Sequence, residues 1–358
     1  MPDVLLFGAT GYTGRLTAHA LARRNARFVV AGRDRAALEE IAAATGALEV
    51  RVAAAGDVEM LVKALGDVRV LITCVGPFLE LGDTAVQAAL QAGVHYVDST
   101  GEAHFIERMT RVHGAEAKAA GVALAPAMAF DEVPADVAAT LAAERFRGAE
   151  LVLTYALPTQ ASAGTVRSSL DILAVPGTWL VEGKRVRMQT AHESRWAPMP
   201  PPLGPRLAVS AHLAESQLAP LHLDVRTVKT FMTTGYGRRL ALRTSLPLLR
   251  GALGLPHGRR MLEELLGRMV RRPGEGSSRG RWTILAEATS GDGRRNVVLS
   301  GRDPYGLSAE LLAAGALHMA DEGFDASGVL SPVQAVGLDE LRRELENQGV
   351  SIEIFDPY

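Results

Sequence analysis

The sequence predicts an α/β fold, with an N-terminal Rossmann doubly wound parallel sheet and a second α+β domain carrying a mixed sheet. Three observations carry that reading. The chain opens with an apolar strand over residues 4–7, a glycine-rich turn, a helix pattern through Leu21 and a second apolar strand over residues 28–31. Short apolar runs then alternate with helical periodicity as far as residue 125. From about Glu150 the alternation gives way to strand-like runs, two of them joined by a hairpin signal.

The turn reads Gly8-Ala9-Thr10-Gly11-Tyr12-Thr13-Gly14. A glycine-rich connection between a strand and a helix lets backbone N–H groups approach a pyrophosphate, and the helix N-terminus stabilises its charge. Three glycines alone are weak; their place between the first strand and its helix makes them informative. Gly8, Thr10, Gly11, Tyr12, Thr13 and Gly14 are therefore expected to bind a dinucleotide. The competing reading is a turn that only packs helix on strand.

The second strand ends in Gly32-Arg33-Asp34-Arg35. A site for NAD places an acid there to accept from the ribose 2′-hydroxyl, whereas an arginine suits a 2′-phosphate. Arg33 therefore points to NADP. Asp34 dissents, because its carboxylate would favour NAD if it faced the ribose. Solvated helix charges are the plain alternative for Arg33 and Arg35.

Further strands are expected at residues 48–52, 68–75, 94–98 and 122–125, with helices at 58–65, about 83–92 and 106–119. Ligands in such folds lie beyond the carboxyl ends of the strands. That rule selects Cys74, Val75, Gly76 and Pro77, then the segment from Asp98 to Glu102, then the segment from Met128 to Asp131. Asp98 and Glu102 could orient a substrate or move a proton. The favoured reading is structural: Glu102 caps the helix that follows it, and Asp98 hydrogen-bonds loop backbone. Tyr96, Asp98 and Asp131 are the candidate proton relays.

A chain of 358 residues, 47% hydrophobic and 22% charged, is long enough for two domains with ordinary globular cores. Its net charge of -2 makes no global case for nucleic acid. Cys74 is the single cysteine, which excludes an internal disulfide and disfavours cysteine-based metal sites. No metal is expected. The N-terminus enters a strand at once, and no apolar run approaches the ~18 residues of a membrane span. A soluble, cytoplasmic protein is expected.

In the second half, strands are expected at residues 151–157, 185–188, 221–225, 282–288 and 295–300, with Gly291-Asp292-Gly293 turning the last pair. Helices are expected from Gly164, over 307–320 and over 338–347, with a last strand at 351–355. Residues 197–202 form a proline-rich loop. Residues 245–272 stand apart: Met261, Leu262, Leu265, Leu266, Met269 and Val270 form an apolar stripe, and Arg259, Arg260, Arg268, Arg271 and Arg272 lie opposite. Packing into the second domain or a dimer interface is favoured. A lid for a lipophilic substrate, in peripheral contact with membrane or lipid, is the alternative.

The motifs resemble the saccharopine dehydrogenase-like oxidoreductases, in the bacterial branch that includes trans-acting enoyl reductases. The resemblance rests on the glycine turn, Ala31-Gly32-Arg33, Cys74-Val75-Gly76-Pro77-Phe78, the run from Tyr96 to Glu102 and Phe130-Asp131-Glu132-Val133-Pro134-Ala135-Asp136. Gly164-Thr165-Val166-Arg167-Ser168, Arg281-Trp282 and Asp303-Pro304-Tyr305-Gly306-Leu307-Ser308-Ala309 extend it to nearly the full chain. It implies an NADP-binding domain over residues 1–128, to which 330–358 returns, and a substrate and dimerisation domain over 129–329. It implies hydride transfer to or from a small molecule, an enoyl or other lipophilic compound, and it places Phe130 beside the nicotinamide. Two rivals stay open: an imine reductase or amino-acid dehydrogenase of the saccharopine type, and a non-catalytic NADP-binding sensor. Ala129 and Ala135 depart from the Gly and Ser frequent in relatives. No Tyr-x-x-x-Lys pair supports a short-chain dehydrogenase mechanism.

Overall fold

The computed structural model describes residues 2–158, 175–235 and 280–356, with positions 251 and 258. They group into two compact units, Met1–Val133 with Pro304–Gln348, and Pro134–Asp303 with Gly349–Tyr358.

The first unit is built on a seven-stranded parallel sheet. Its strands are β1 (Val4–Phe7), β2 (Phe28–Gly32), β3 (Val50–Val52), β4 (Val70–Thr73), β5 (His95–Asp98), β6 (Ala123–Ala125) and β15 (Gly328–Val329). The order is β15-β6-β5-β4-β1-β2-β3, so the winding reverses between β1 and β4. Strands β1, β2 and β4 are buried along their whole length, as continuous apolar runs in a parallel sheet must be. The crossovers are α1 (Tyr12–Arg23), α2 (Arg35–Thr45), α3 (Val58–Leu65), α4 (Phe78–Ala92) and α5 (Ala103–Ala119).

Helix α4 starts at Phe78, well before the expected Asp83. The cause is a cap from far along the chain. Glu102, just after β5 and at the start of α5, accepts from Phe78 N at 3.1 Å and from Leu79 N at 2.7 Å. Its carboxylate was expected to serve its own helix; instead it neutralises the preceding one. Asp83 turns outward to Arg108, 3.1 Å away.

Helix α8 (Pro304–Met319) belongs to the first unit, not to the expected 129–329 domain. Its buried residues surround the axis and include Leu307, Leu311, Leu312, Ala316 and Met319, so it needs apolar neighbours on several sides. It finds them on α1, β4 and β5, and leads into β15. Two short helices, α9 (Pro332–Val336) and α10 (Leu338–Asn347), follow; Ser331 and Gln334 form a capping box at the first. Arg24 ties α1 to both α8 and α10, with Glu310 at 2.8 Å and Glu344 at 2.5 Å.

Helix α6 (Glu132–Ala143) carries the chain out of the first unit. The second unit holds a nine-stranded mixed sheet. Its main path is β10 (Ser194–Ala197), β11 (Arg206–Ser210), β12 (Val225–Thr233), β7 (Ala149–Ala156), β13 (Trp282–Ser290), β14 (Gly293–Gly301) and β16 (Ser351–Phe355). Only β7 and β12 pair in parallel along this path. A hairpin of β8 (Gly177–Val181) and β9 (Lys184–Met188) joins at β12. Trp179, Met188, Phe231, Leu285 and Val298 form a core against one face.

Three expectations change here. The strand expected at 221–225 starts at Val225 and runs to Thr233, because Ala219–Leu221 forms a 3-10 turn with Pro220 favouring its first residues. Strands β8, β10 and β11 had no sequence signal. The last strand does not return to the Rossmann sheet: β16 pairs with β14 from Ser351↔Ser300 to Phe355↔Asn296. The expected helix after Gly164 and the basic segment 245–272 lie outside the described residues.

Candidate active site

The glycine turn places its residues at the carboxyl end of β1. Gly8 has φ +87°, and a Cβ there would lie 2.7 Å from Val75 Cγ2 and 3.3 Å from the Cys74 carbonyl carbon. The end of β4 therefore crosses directly over the turn, and two of the predicted motifs meet. A Cβ on Gly14 would lie 2.1 Å from Gly8 O, so α1 can approach the turn only with glycine at that position.

The first turn of α1 differs from the next three helices. Its N-cap is Gly11, which provides no side-chain cap, and the turn holds no acid. Asp34 caps α2 through Ala37 N at 3.1 Å, Asp57 caps α3 through Met60 N at 2.9 Å, and Glu102 caps α4. Unlike these three, α1 has no acid of its own in its N-cap or first turn.

At the end of β2, Asp34 is committed to that cap. Arg33 is exposed, and among the described residues its side chain makes no hydrogen bond or ion pair. Arg35 faces Glu39 across one helical turn at 3.7 Å. The residue that argued for NAD is occupied, and the one that argued for NADP is available.

Beyond β4, Cys74 and Val75 run over the turn, and Gly76-Pro77, a cis peptide, leads into α4. Burial pushes the Cys74 thiol up to about 12, opposed by a hydrogen bond with Thr17, so it stays a neutral thiol.

Tyr96 and Asp98 are both 0% exposed at the end of β5. The Tyr96 hydroxyl donates to Asp98 Oδ2 at 2.6 Å, and Asp98 Oδ1 accepts from Thr100 N at 2.8 Å and Ala127 N at 2.9 Å. Burial raises Asp98 to about 6 and the phenol well above its usual range. The sequence allowed them as proton relays. The geometry makes them a clamp between the ends of β5 and β6, with the carboxylate facing protein donors.

Phe130, Asp131 and Glu132 follow β6. Phe130 N donates to Ser308 Oγ at 3.0 Å, which ties this segment to the first turn of α8. Asp131 is half-buried and Glu132 is 4% exposed. Burial raises the Asp131 carboxyl, opposed by a hydrogen bond with the Glu132 side chain. Glu132, Ser308 and Tyr305 were not selected from sequence as site residues. Tyr305 meets Tyr12 edge-on, ring centroids 5.0 Å apart. The only signal for it was its place in a motif with no assigned purpose.

The second unit contains a separate cavity of about 370 Å³ lined by Trp179, Met188, Glu193 and Lys229, among others. Lys229 lies 5.1 Å over the Trp179 ring and is already paired with Glu193 at 3.0 Å. Among the described residues, no group of three His, Cys, Asp or Glu side chains could hold a metal ion. No described helix is long and apolar enough to cross a membrane.

Residues 4–124 match the model of the saccharopine dehydrogenase NADP binding domain. A trans-acting enoyl reductase of Mycobacterium leprae is 27% identical over 411 residues, covering 98% of this chain and 97% of that protein. A lipid droplet localized protein of Caenorhabditis elegans is 32% identical over 158 residues, 41% of this chain and 37% of that one. Among solved structures, apo saccharopine dehydrogenase (L-Glu forming) from Saccharomyces cerevisiae shares the fold at a TM-score of 0.68 with 13% identity, each chain covered in full.

Proposed function

We propose that this saccharopine dehydrogenase-like oxidoreductase uses NADPH to reduce an activated carbon–carbon double bond in a lipophilic thioester. The observation that carries the cofactor half is the contrast between helix N-termini: α2, α3 and α4 are each capped by a carboxylate, whereas α1, behind the glycine turn, has no acid in its N-cap or first turn. The substrate class is supported by the full-length likeness to mycobacterial enoyl reductases.

When bound, NADPH supplies the hydride that reaches the β-carbon of the alkene. The chain does the rest. Backbone N–H groups from Tyr12 to Gly14 hold the pyrophosphate, with Gly8, Thr10 and Gly11 shaping the turn. Arg33 holds the 2′-phosphate with a charge-assisted pair. Cys74, Val75, Gly76, Pro77 and Phe130 line the groove at the strand ends and exclude water. Asp131, whose carboxyl is raised by burial, delivers the proton to the α-carbon. Tyr96 and Asp98 position the loops without touching substrate.

The test is direct. Purified protein is titrated with NADPH and NADH by fluorescence, then assayed for NADPH oxidation with α,β-unsaturated thioesters of increasing chain length. Tight NADPH binding with oxidation that rises with chain length is expected. Failure to bind NADPH would remove the cofactor reading, and binding without turnover of any thioester would remove the substrate reading.

A further inference from the structure

Tyr305 lies in a motif, Asp303 to Ala309, that the reading above does not use. It lies in the first turn of α8, and that turn is held in place. Ser308 Oγ accepts from Phe130 N at 3.0 Å and donates to Pro304 O at 2.9 Å. Two residues further along the helix, Glu310 takes Arg23 at 2.6 Å and Arg24 at 2.8 Å. These contacts fix the start of α8 at the carboxyl edge of the sheet, beside the segment that follows β6.

The ring of Tyr305 stands edge-on to Tyr12, at 86°. Tyr12 belongs to the glycine turn and is 39% exposed, and Tyr305 is half-buried. This is an aromatic pair at a rim, not in a core. Part of its apolar area stays exposed, where a ligand can cover it.

Topology says which half of a dinucleotide would meet it. Strand β2, with Arg33 at its end, lies on one side of β1; β4, β5 and β6 lie on the other. A dinucleotide crossing the end of β1 with its 2′-phosphate at Arg33 has its other half over β4 to β6. Ser308 ties α8 to the β6 side through Phe130. We infer that Tyr305, backed by Tyr12, binds the nicotinamide half of the dinucleotide and positions it over the ends of β4 to β6. The inference rests on the dinucleotide reading above. Tyr305 acts here through its ring, so its hydroxyl is dispensable.

Two probes separate the halves: NADPH, and adenosine 2′,5′-bisphosphate, which lacks nicotinamide. Tyr305→Ala is expected to weaken NADPH binding about tenfold, the scale of a lost aromatic contact, while leaving the bisphosphate unchanged. Unchanged bisphosphate binding also shows that the variant is folded. Tyr305→Phe is expected to bind both as wild type does. Equal weakening of both probes by Tyr305→Ala, or no weakening of either, would overturn the inference, as would a Tyr305→Phe variant as impaired as the alanine. A wild-type protein that binds neither probe overturns the dinucleotide reading itself, and this inference with it.

Discussion

The Tyr96 hydroxyl donates to Asp98 Oδ2 at 2.6 Å, and both side chains are sealed from solvent. With Oδ1 taken by Thr100 N and Ala127 N, Asp98 holds the turn after β5 to the turn after β6. Burial raises its pKa to about 6, with the three hydrogen bonds opposing. The folded chain therefore binds an extra proton between about pH 3.9, the ordinary aspartate value, and about pH 6. The stabilisation is complete below that window and is lost as pH rises through it. Asp98→Asn cannot titrate, yet it can keep the geometry: one oxygen for the two N–H groups, one amide donor for Tyr96. Its urea midpoint is expected to lose this decline between pH 4 and 6. Asp98→Ala leaves two buried N–H groups unpaired and is expected to cost about 2–5 kcal/mol at any pH. A wild-type midpoint that is flat across the window would remove the argument.

Arg33 and Asp34 are neighbours with opposite commitments. Arg33→Ala is expected to weaken NADPH binding by about 10–100-fold, the range of a charge-assisted contact, and to leave NADH binding nearly unchanged. Asp34→Ala removes a helix cap and is expected to cost about 1 kcal/mol of stability, without altering the preference between the two cofactors. Parallel titrations and thermal melts of both variants check this. A preference that follows Asp34 would reverse the assignment.

Gly14→Ala tests the close approach of α1 to the turn. The added Cβ would sit 2.1 Å from Gly8 O, a backbone atom that cannot swing aside as a side chain can. Overpacking of this kind costs about 1–3 kcal/mol, and the forced shift lands on the backbone that would hold the pyrophosphate. A lower melting temperature and loss of NADPH binding are expected together. A variant with wild-type affinity would show that the turn does not bind the dinucleotide.

The parts legible in the sequence were those whose signals are local. The β1–turn–α1 unit is written in one unbroken stretch from Val4 to Arg23, and the Gly291-Asp292-Gly293 turn identified its hairpin. Asp34 was ambiguous because capping and ribose binding call for the same side chain at the same place; only the 3.1 Å contact to Ala37 N separates them. Glu102 was assigned to the wrong helix because its partners, Phe78 and Leu79, lie over twenty residues earlier. Tyr305 and Ser308 are nearly three hundred and nearly two hundred residues from Tyr12 and Phe130, so no periodicity links them. Strand β9 was legible although most of its residues are exposed, because Arg185-Val186-Arg187-Met188 alternates charged and apolar side chains.

The last strand supplies a test of the second unit. Arg295, 3% exposed on β14, points its guanidinium at Asp356, just past β16, with contacts of 2.6 and 2.9 Å, and also donates to Leu141 O at 3.2 Å. Its partner is what makes a buried arginine tolerable. Arg295 lowers the Asp356 pKa. The pairing therefore stabilises the fold above the ordinary aspartate pKa of about 3.9 and fades as pH falls through and below it. Asp356→Asn is expected to lower the melting temperature at pH 7, with the difference from wild type shrinking toward pH 3. Removing residues 349–358 is expected to lower it further and to promote self-association, because the whole edge of β14 then presents unpaired backbone groups. Thermal melts across pH and gel filtration of both variants read these effects. A truncated chain that melts and elutes like wild type would mean that β16 is not part of the second sheet in solution.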